Sequence, residues 1–373
     1  MTIFFMKDLD FPVFNTKELS NSSMSSGQVK TFDLNDPAQR KEYFELKCGV
    51  EIKKLKEFLQ TNTFVAYLMG KKSSGKGTYS KMFAEIVAPD RVAHFSIGDM
   101  IRGFDTIVKD ENKKKDLVEF LQKNYRGFLP IEKIMEALEG RSTKVLLPTE
   151  LILALAKREI DKLGRKAIFI DGFPRDVDQV SYSLFFRDLI NYRDDPDVFI
   201  LIDVPTNIID QRVKTRVICP LCNTSRNIQL LPTKKVEHDL SAGSGQAKFY
   251  LLCDNPECSG PRMKTKEGDE HGIEPIRERL NKDELLIKQA YTLQGIPKVL
   301  LRNSIPVNDV KNVTDDYEIT PEFSYTFNET ENKVEVHEKP WTVLDDEGNE
   351  VNSLMPPPVV VSMIKQLVQV LGL

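Results

Sequence analysis

The chain has 373 residues, 40% of them hydrophobic, which is enough for two or three domains with a real core and excludes a disordered polymer. Its 52 lysines and arginines stand against 56 aspartates and glutamates, a formal net charge of −4, so no overall basic field exists to grip a nucleic-acid backbone and any anion site must be local. No apolar run reaches the roughly 20 residues of a membrane helix, and the opening MTIFFMKDLD meets Asp8 where a signal peptide would extend its apolar stretch, so the expectation is a soluble cytoplasmic protein without membrane or nucleic-acid partners.

Residues 1 to about 40, with the tract SNSSMSSG, read as an extended or partly disordered leader. From Asp36 to Gln60 the pattern turns helical, with Phe44, Leu46, Val50, Ile52, Leu55 and Leu59 on an apolar side that also takes Cys48 as a buried core thiol. The run FVAYLM at 64–69 ends at Gly70, the loop GKKSSGKGT follows, and YSKMFAEIV continues as a helix: strand, glycine loop, helix. Further apolar runs at 92–95, 167–170 and 198–202 are separated by helical segments. Continuous rather than alternating hydrophobicity marks strands buried on both faces, so the fold expected is α/β, a three-layer P-loop NTPase type with about five parallel strands. The fifth strand falls at 298–301 or within 322–327.

Two inserts interrupt this rhythm. Segment 103–165, with its DENKKKD charge run, reads as a small helical subdomain, and segment 217–275 is rich in Gly, Pro, Cys and polar residues. A helix around 276–293 comes next, then an alternating stretch FSYTFNETENKVEVHEKPWTV that suggests a β-hairpin, and a closing helix beginning after the prolines of PPPVVVSMIKQLVQVLGL. The domains expected are an extension at 1–62, a core at 63–300 and a second extension at 301–373.

The loop Gly70 to Thr78 fits G-x-x-x-x-G-K followed by a small residue and Thr. Glycines let successive backbone N–H groups face one point, the following helix adds its positive end, and Lys76 reaches outer phosphates. Lys71 and Lys72 either add positive charge there or stand solvated. Past the second strand lies Ser96-Ile97-Gly98-Asp99-Met100-Ile101-Arg102, and past the third lies Asp171-Gly172-Phe173-Pro174-Arg175 with Gln179 four residues on. Both sit at carboxyl ends of strands, where ligands bind in an open parallel sheet. Two arginines and two aspartates converging on phosphates suit phosphoryl transfer.

GKKSSGKGT, SIGDMIR, IDGFPRDVDQ, FILIDVP with QRVKTR, and IRERL resemble the adenylate kinases in order and approximate spacing, over about residues 63–300. The resemblance implies an enzyme moving a phosphoryl group from ATP to AMP, with 103–165 as the AMP-binding insert and 217–275 as the lid. It implies that Lys76 and the backbone of Ser73, Ser74, Gly75, Gly77 and Thr78 bind ATP phosphates, that Arg102 and Arg175 clamp the AMP phosphate, and that Gln179 meets the AMP base in a pocket with Ile97, Val145, Leu146, Leu147, Gly172, Phe173 and Pro174. Arg212, Arg216 and Arg279 close over ATP and the transferring group, and Asp99 and Asp171 orient the water shell of Mg²⁺. Two departures stand out: Ile97 replaces the family's usual threonine, and a lid arginine aligns with Gly268, with Arg262, Lys264 and Lys266 the candidates to replace it after a shift.

Cys219 and Cys222, with Cys253 and Cys258, form two short-spaced pairs that can offer four thiolates tetrahedrally to a structural Zn²⁺. Iron, unligated thiols and a disulfide are the other readings. The resemblance favours zinc, since long-type adenylate kinases carry such a lid. A monomer acting on ATP and AMP is the expectation. Its rivals are a kinase for UMP or CMP, a non-catalytic nucleotide sensor, and a nucleic-acid module, the last opposed by the balanced charge.

Overall fold

The computed structural model describes residues 11–17, 30–139, 147–222, 224–239, 248–266 and 268–373. Helix α1 (Pro37–Thr61) starts where Asp36 accepts the Gln39 N–H and Pro37 takes the first turn, a position where a missing N–H costs nothing. Tyr43, Phe44, Cys48, Ile52, Leu55 and Leu59 recur at helical spacing and are buried, whereas Val50 is 70% exposed and does not belong to that face.

Strand β1 (Val65–Gly70) leads into α2 (Lys76–Val87), β2 (Val92–Ser96) and then α3 (Ile97–Ile107), whose cap is Ser96 accepting the Asp99 N–H. Helices α4 (Glu111–Asn124), α5 (Ile131–Glu139) and α6 (Thr149–Asp161) make up the first insert; Asp110 caps α4 by accepting from the Asn112 and Lys113 N–H groups. Strand β3 (Ala167–Asp171), α7 (Val177–Leu189), β4 (Asp197–Asp203) and α8 (Thr206–Lys214) follow.

The second insert is built from short strands and two 3-10 turns, Pro256–Cys258 and Asp269–His271: β5 (Arg216–Ile218) lies between β6 (Ser225–Asn227) and β9 (Lys264–Thr265), and β7 (Val236–Asp239) pairs with β8 (Lys248–Leu251). The chain returns through α9 (Arg277–Thr292) to β10 (Lys298–Arg302), the fifth strand of the main sheet. Residues 322–327, the other place considered for that strand, lie in an antiparallel hairpin of β12 (Pro321–Asn328) and β13 (Lys333–Pro340). Strand β11 (Ser304–Pro306), β14 (Thr342–Leu344) and β15 (Glu350–Ser353) form a separate small sheet, and α10 (Pro356–Val370) ends the fold.

The main sheet has the order β10-β4-β1-β3-β2, and every pair in it is parallel. Both faces are covered, and the strand pleat divides the core between them. Ala66 and Leu68 of β1 point into one cluster with α1, α2 and α10, while Val65, Tyr67 and Met69 point into a second with α3 to α7 and α9. Helix α10 is mostly apolar and buries Val359, Val360, Val361, Met363, Ile364, Leu367 and Val368, each contributing about 1.5–3 kcal/mol relative to exposure, while Lys365 pairs with Glu51 at 2.7 Å. Residues from 1–62, 63–300 and 301–373 thus share one hydrophobic cluster.

A buried polar knot joins α1 to the segment before β12. Lys47, with no exposed side chain, reaches Asp315 at 2.9 Å, Glu318 at 3.4 Å and the Thr16 carbonyl at 2.8 Å. Glu318 also accepts from Thr16, Tyr43, Thr314 and the Asp315 N–H, so the carboxylate is compensated where water is excluded. The hairpin in turn leans on the second insert: the Phe323 N–H donates to the Gln229 carbonyl at 2.7 Å, the Tyr325 hydroxyl to the Ile228 carbonyl at 2.6 Å, and Phe327 stacks on His238. No helix among the described residues is long and apolar enough to cross a membrane.

Candidate active site

The central strand β1 ends in the loop that turns into α2, and Gly75 makes that turn at φ 100°, a left-handed conformation that glycine adopts without penalty. A Cβ there would also run into the Tyr79 ring at 2.7 Å. Lys76 opens the helix; its ammonium donates to the carbonyls of Gly70 at 2.7 Å and Lys71 at 3.1 Å and lies 3.9 Å from the Asp171 carboxylate. Burial lowers its pKa from the ordinary lysine value, opposed by the charges of Asp171 and Asp283. The two neighbouring lysines part company. Lys71 is buried and turned away, bonded to the Thr206 hydroxyl at 2.9 Å and to Asp346 at 3.0 Å. Lys72 faces the cavity.

That cavity, about 540 Å³, opens at the carboxyl ends of β1, β2 and β3 and is lined by the phosphate loop, Gly98, Arg102, Asp171, Gly172, Pro174, Arg175 and Arg279. Gly98 is needed for close approach: a Cβ there would stand 3.1 Å from one Arg175 nitrogen and 3.5 Å from one of Arg102. Arg175 is steadied by its own Nε donating to the Gly172 carbonyl at 2.8 Å. Burial lowers the pKa of its guanidinium, and the nearby charge of Arg279 adds to this. Among the described residues Arg279 forms no ion pair. Lys72, Lys76, Arg102, Arg175 and Arg279 outnumber the two carboxylates on the cavity wall, Asp171 and Asp283, and such an excess of positive charge in a half-enclosed space is suited to a multiply charged anion.

Asp283 is a site residue that the motifs do not reveal. It lies one helical turn after Arg279 on α9 and lines the cavity, where it accepts the Lys72 N–H at 2.8 Å. Burial raises its pKa, against the lowering effect of Lys76 and Arg279. The only hint in the sequence is its i+4 spacing from an arginine already assigned to the site.

A second cavity of about 490 Å³ adjoins the other side of the loop at Ser73, Gly75 and Thr78, and is walled mainly by apolar groups including Leu34, Met82, Leu230 and Met355. Arg212 and Arg216 reach it. Arg212 donates to Asn303 at 3.1 Å and Ser353 at 3.3 Å, and Arg216 is held bidentately by Asp269, both contacts at 2.7 Å.

Other expected residues are placed elsewhere. Ile97 is fully buried in the core and does not line the cavity, as are Phe173 and Leu147 to within a few per cent. Gln179 spends its amide within the fold, accepting the Arg175 N–H at 2.9 Å and donating to Thr149 at 3.0 Å. Asp99 is turned outward and paired with Arg102. Val145 and Leu146 lie outside the described residues. Of the three substitutes for the arginine missing at Gly268, Arg262 lies over the Tyr250 ring and beside Asp239, and Lys264 is exposed; the charge of Lys266 is felt at Lys72.

In the second insert the sulfurs of Cys219, Cys222, Cys253 and Cys258 lie within 4.8 Å of one another, with no disulfide, in a cluster with Val217, Leu251 and Met263. Cys222 and Cys253 are 3.7 Å apart, matching the edge of about 3.8 Å expected for a tetrahedron with metal–sulfur arms of about 2.3 Å. The Leu221 N–H donates to the Cys219 sulfur, which favours thiolate, the form that binds metal. Hydrogen bonding with Thr224 draws the Cys222 thiol down, whereas the neighbouring Cys222 and burial push the Cys258 thiol up, the mutual opposition of crowded sulfurs that a shared cation would relieve. The donor set therefore fits a closed four-sulfur zinc site.

No family model matches the chain. Among known proteins it is similar to the adenylate kinase of Thermotoga petrophila, with 34% identity over 176 residues, 46% of this chain and 68% of that protein. The Thermotoga neapolitana adenylate kinase is 32% identical over 218 residues, covering 58% of this chain and 79% of the relative. That of Clostridium acetobutylicum is 27% identical over 260 residues, 66% and 96% respectively.

Proposed function

Because the chain belongs to the adenylate kinase family of nucleoside monophosphate kinases, we propose that it transfers the terminal phosphoryl group of ATP to AMP, giving two molecules of ADP, and runs the reaction in both directions. An oxygen of the AMP phosphate attacks the γ-phosphorus, the bond from that phosphorus to the bridging oxygen breaks, and the electron pair leaves with ADP. The attacking oxygen is already anionic at neutral pH, so no general base is required.

The work left to the protein is positioning and charge neutralisation. Lys76 and the amides of residues 73–78 hold the donor phosphates, Arg102 and Arg175 hold the acceptor phosphate, and Arg279, with no carboxylate partner among the described residues, spans the space between them. The observation that carries this reading is the convergence of these four cations on one cavity at the end of a parallel sheet. The apolar cavity on the other side of the loop, with Arg212 and Arg216 at its edge, takes the donor base. Insert 217–275 acts as a lid that keeps water from the donor, since exposure to water would turn transfer into hydrolysis.

Magnesium bound with ATP supplies further neutralisation of the phosphates. Asp171, on the cavity wall beside Lys76, fits an outer-sphere role toward it, and Asp283 is placed to join it; Asp99, committed to Arg102, fits less well. Cys219, Cys222, Cys253 and Cys258 hold Zn²⁺, whose role is to staple the insert. The test is ADP formation from ATP with AMP, CMP, UMP and GMP in turn, with and without magnesium; AMP should be the best acceptor, and the metal should be required. A second reading, another monophosphate as acceptor, draws support from Gln179, whose amide is occupied by Arg175 and Thr149. The same assay separates the two.

A further inference from the structure

We propose that Lys72 is a further phosphoryl-binding residue of this site, its ammonium contacting the transferring group from the loop side. The proposal rests on the phosphoryl-transfer reading above.

Four observations converge on it. Lys72 lines the cavity that holds Lys76, Arg102, Arg175 and Arg279, while its neighbour Lys71 is buried and satisfied elsewhere. Its side chain is half-buried among the charges of Arg279, Arg216 and Lys266, from α9 and from two parts of the second insert. Asp269, the carboxylate whose charge it also feels, is already taken at both oxygens by Arg216. Finally, the Lys72 backbone is anchored: its N–H donates to Asp283, one turn along α9 from Arg279, so loop and helix hold the two cations in a fixed relation.

A lysine held among other cations loses stability unless an anion offsets the repulsion, and a surface lysine has open solvent in which to avoid such company. The anion this arrangement serves is the one carrying charge between the two nucleotides. Contact there strengthens as the phosphoryl group becomes planar and its oxygens take up charge, so the lysine acts on the chemical step more than on binding. Lys72 loses no proton in the step; it donates hydrogen bonds throughout.

Three full-length variants, Lys72→Met, Lys72→Gln and Lys72→Arg, test this alongside the unsubstituted protein. Steady-state ADP formation, nucleotide binding and thermal melting are measured for each. Lys72→Met and Lys72→Gln should lower kcat by about 10- to 100-fold with the Kd for ATP changed less than about fivefold, and Lys72→Arg should stay within about threefold of the unsubstituted rate. If Lys72→Met melts early, Lys72→Gln against Lys72→Arg decides. A kcat within twofold of the unsubstituted value in both neutral variants overturns the proposal, as does an equal loss in Lys72→Arg, which would assign the effect to packing. Failure of the unsubstituted protein to form ADP with any monophosphate would remove the phosphoryl-transfer reading itself, a result distinct from an unchanged Lys72 variant in an active enzyme.

Discussion

The Asp283 carboxylate accepts the backbone N–H of Lys72 at 2.8 Å, tying the phosphate loop to the helix that carries Arg279. The contact places a negative charge inside a cavity built from cations, where it opposes the binding of a polyanion even as it fixes the loop. Asp283→Asn keeps an acceptor and removes the charge. Calorimetric titration in the absence of magnesium should show ATP bound about 3- to 10-fold tighter, the order expected when one nearby like charge is removed from a partly buried site. Unchanged or weaker binding would mean that the contact serves geometry alone.

Lys76→Met should abolish turnover, by about a thousandfold or more, while leaving circular dichroism and melting close to those of the unsubstituted chain. Among the described residues its ammonium contacts the Gly70 and Lys71 carbonyls and, more distantly, Asp171, so little of the fold leans on it. Retained activity would take the loop out of the mechanism.

Removing metal with a strong chelator, or replacing Cys222 by Ser, should lower the melting temperature by several degrees and reduce the rate by less than its effect on stability would suggest. The four sulfurs hold together a small insert whose own cluster contains only a few apolar side chains, so loss of the cross-link falls on local stability. One zinc per chain in elemental analysis is the companion measurement. Melting that does not respond to chelation would count against a structural metal.

Lys47→Met should cost about 3–5 kcal/mol in denaturant unfolding, because it leaves Asp315 and Glu318 buried without their cation. The triple replacement Lys47→Met, Asp315→Asn, Glu318→Gln should recover part of that loss. The site lies apart from the cavity, so kcat measured well below the melting temperature should hold.

Much of this could be read from residue order. Strands such as 64–69 and 198–202 announce themselves because burial on both faces leaves no polar alternation, and the glycine loop carries its own geometry. Side-chain direction could not be read. Lys71 and Lys72 are adjacent and identical in type, yet one is buried against Asp346 and the other faces the cavity, a difference set by a partner 275 positions away. Ile97 sits inside a motif, and its side chain points into the core. Val50 looked like part of the apolar side of α1, but it stands two positions from both Cys48 and Ile52, which puts it on the opposite side of the helix from that buried stripe and leaves it in solvent. Asp283 belongs to no pattern, and only the packing of α9 against the loop gives it meaning.

The contacts between the hairpin and the second insert make the segment 321–353 a mechanical linkage. At one end Phe323, Tyr325 and Phe327 grip the insert. At the other, past β14, Asp346 holds both the first turn of α8 and the side chain of Lys71 within the phosphate loop. The arm therefore gives the insert a second, non-covalent connection to the phosphate loop, separate from the two covalent ones through which it joins the core, and Trp341, buried in the core cluster midway along it, is the fulcrum on which the two ends bear.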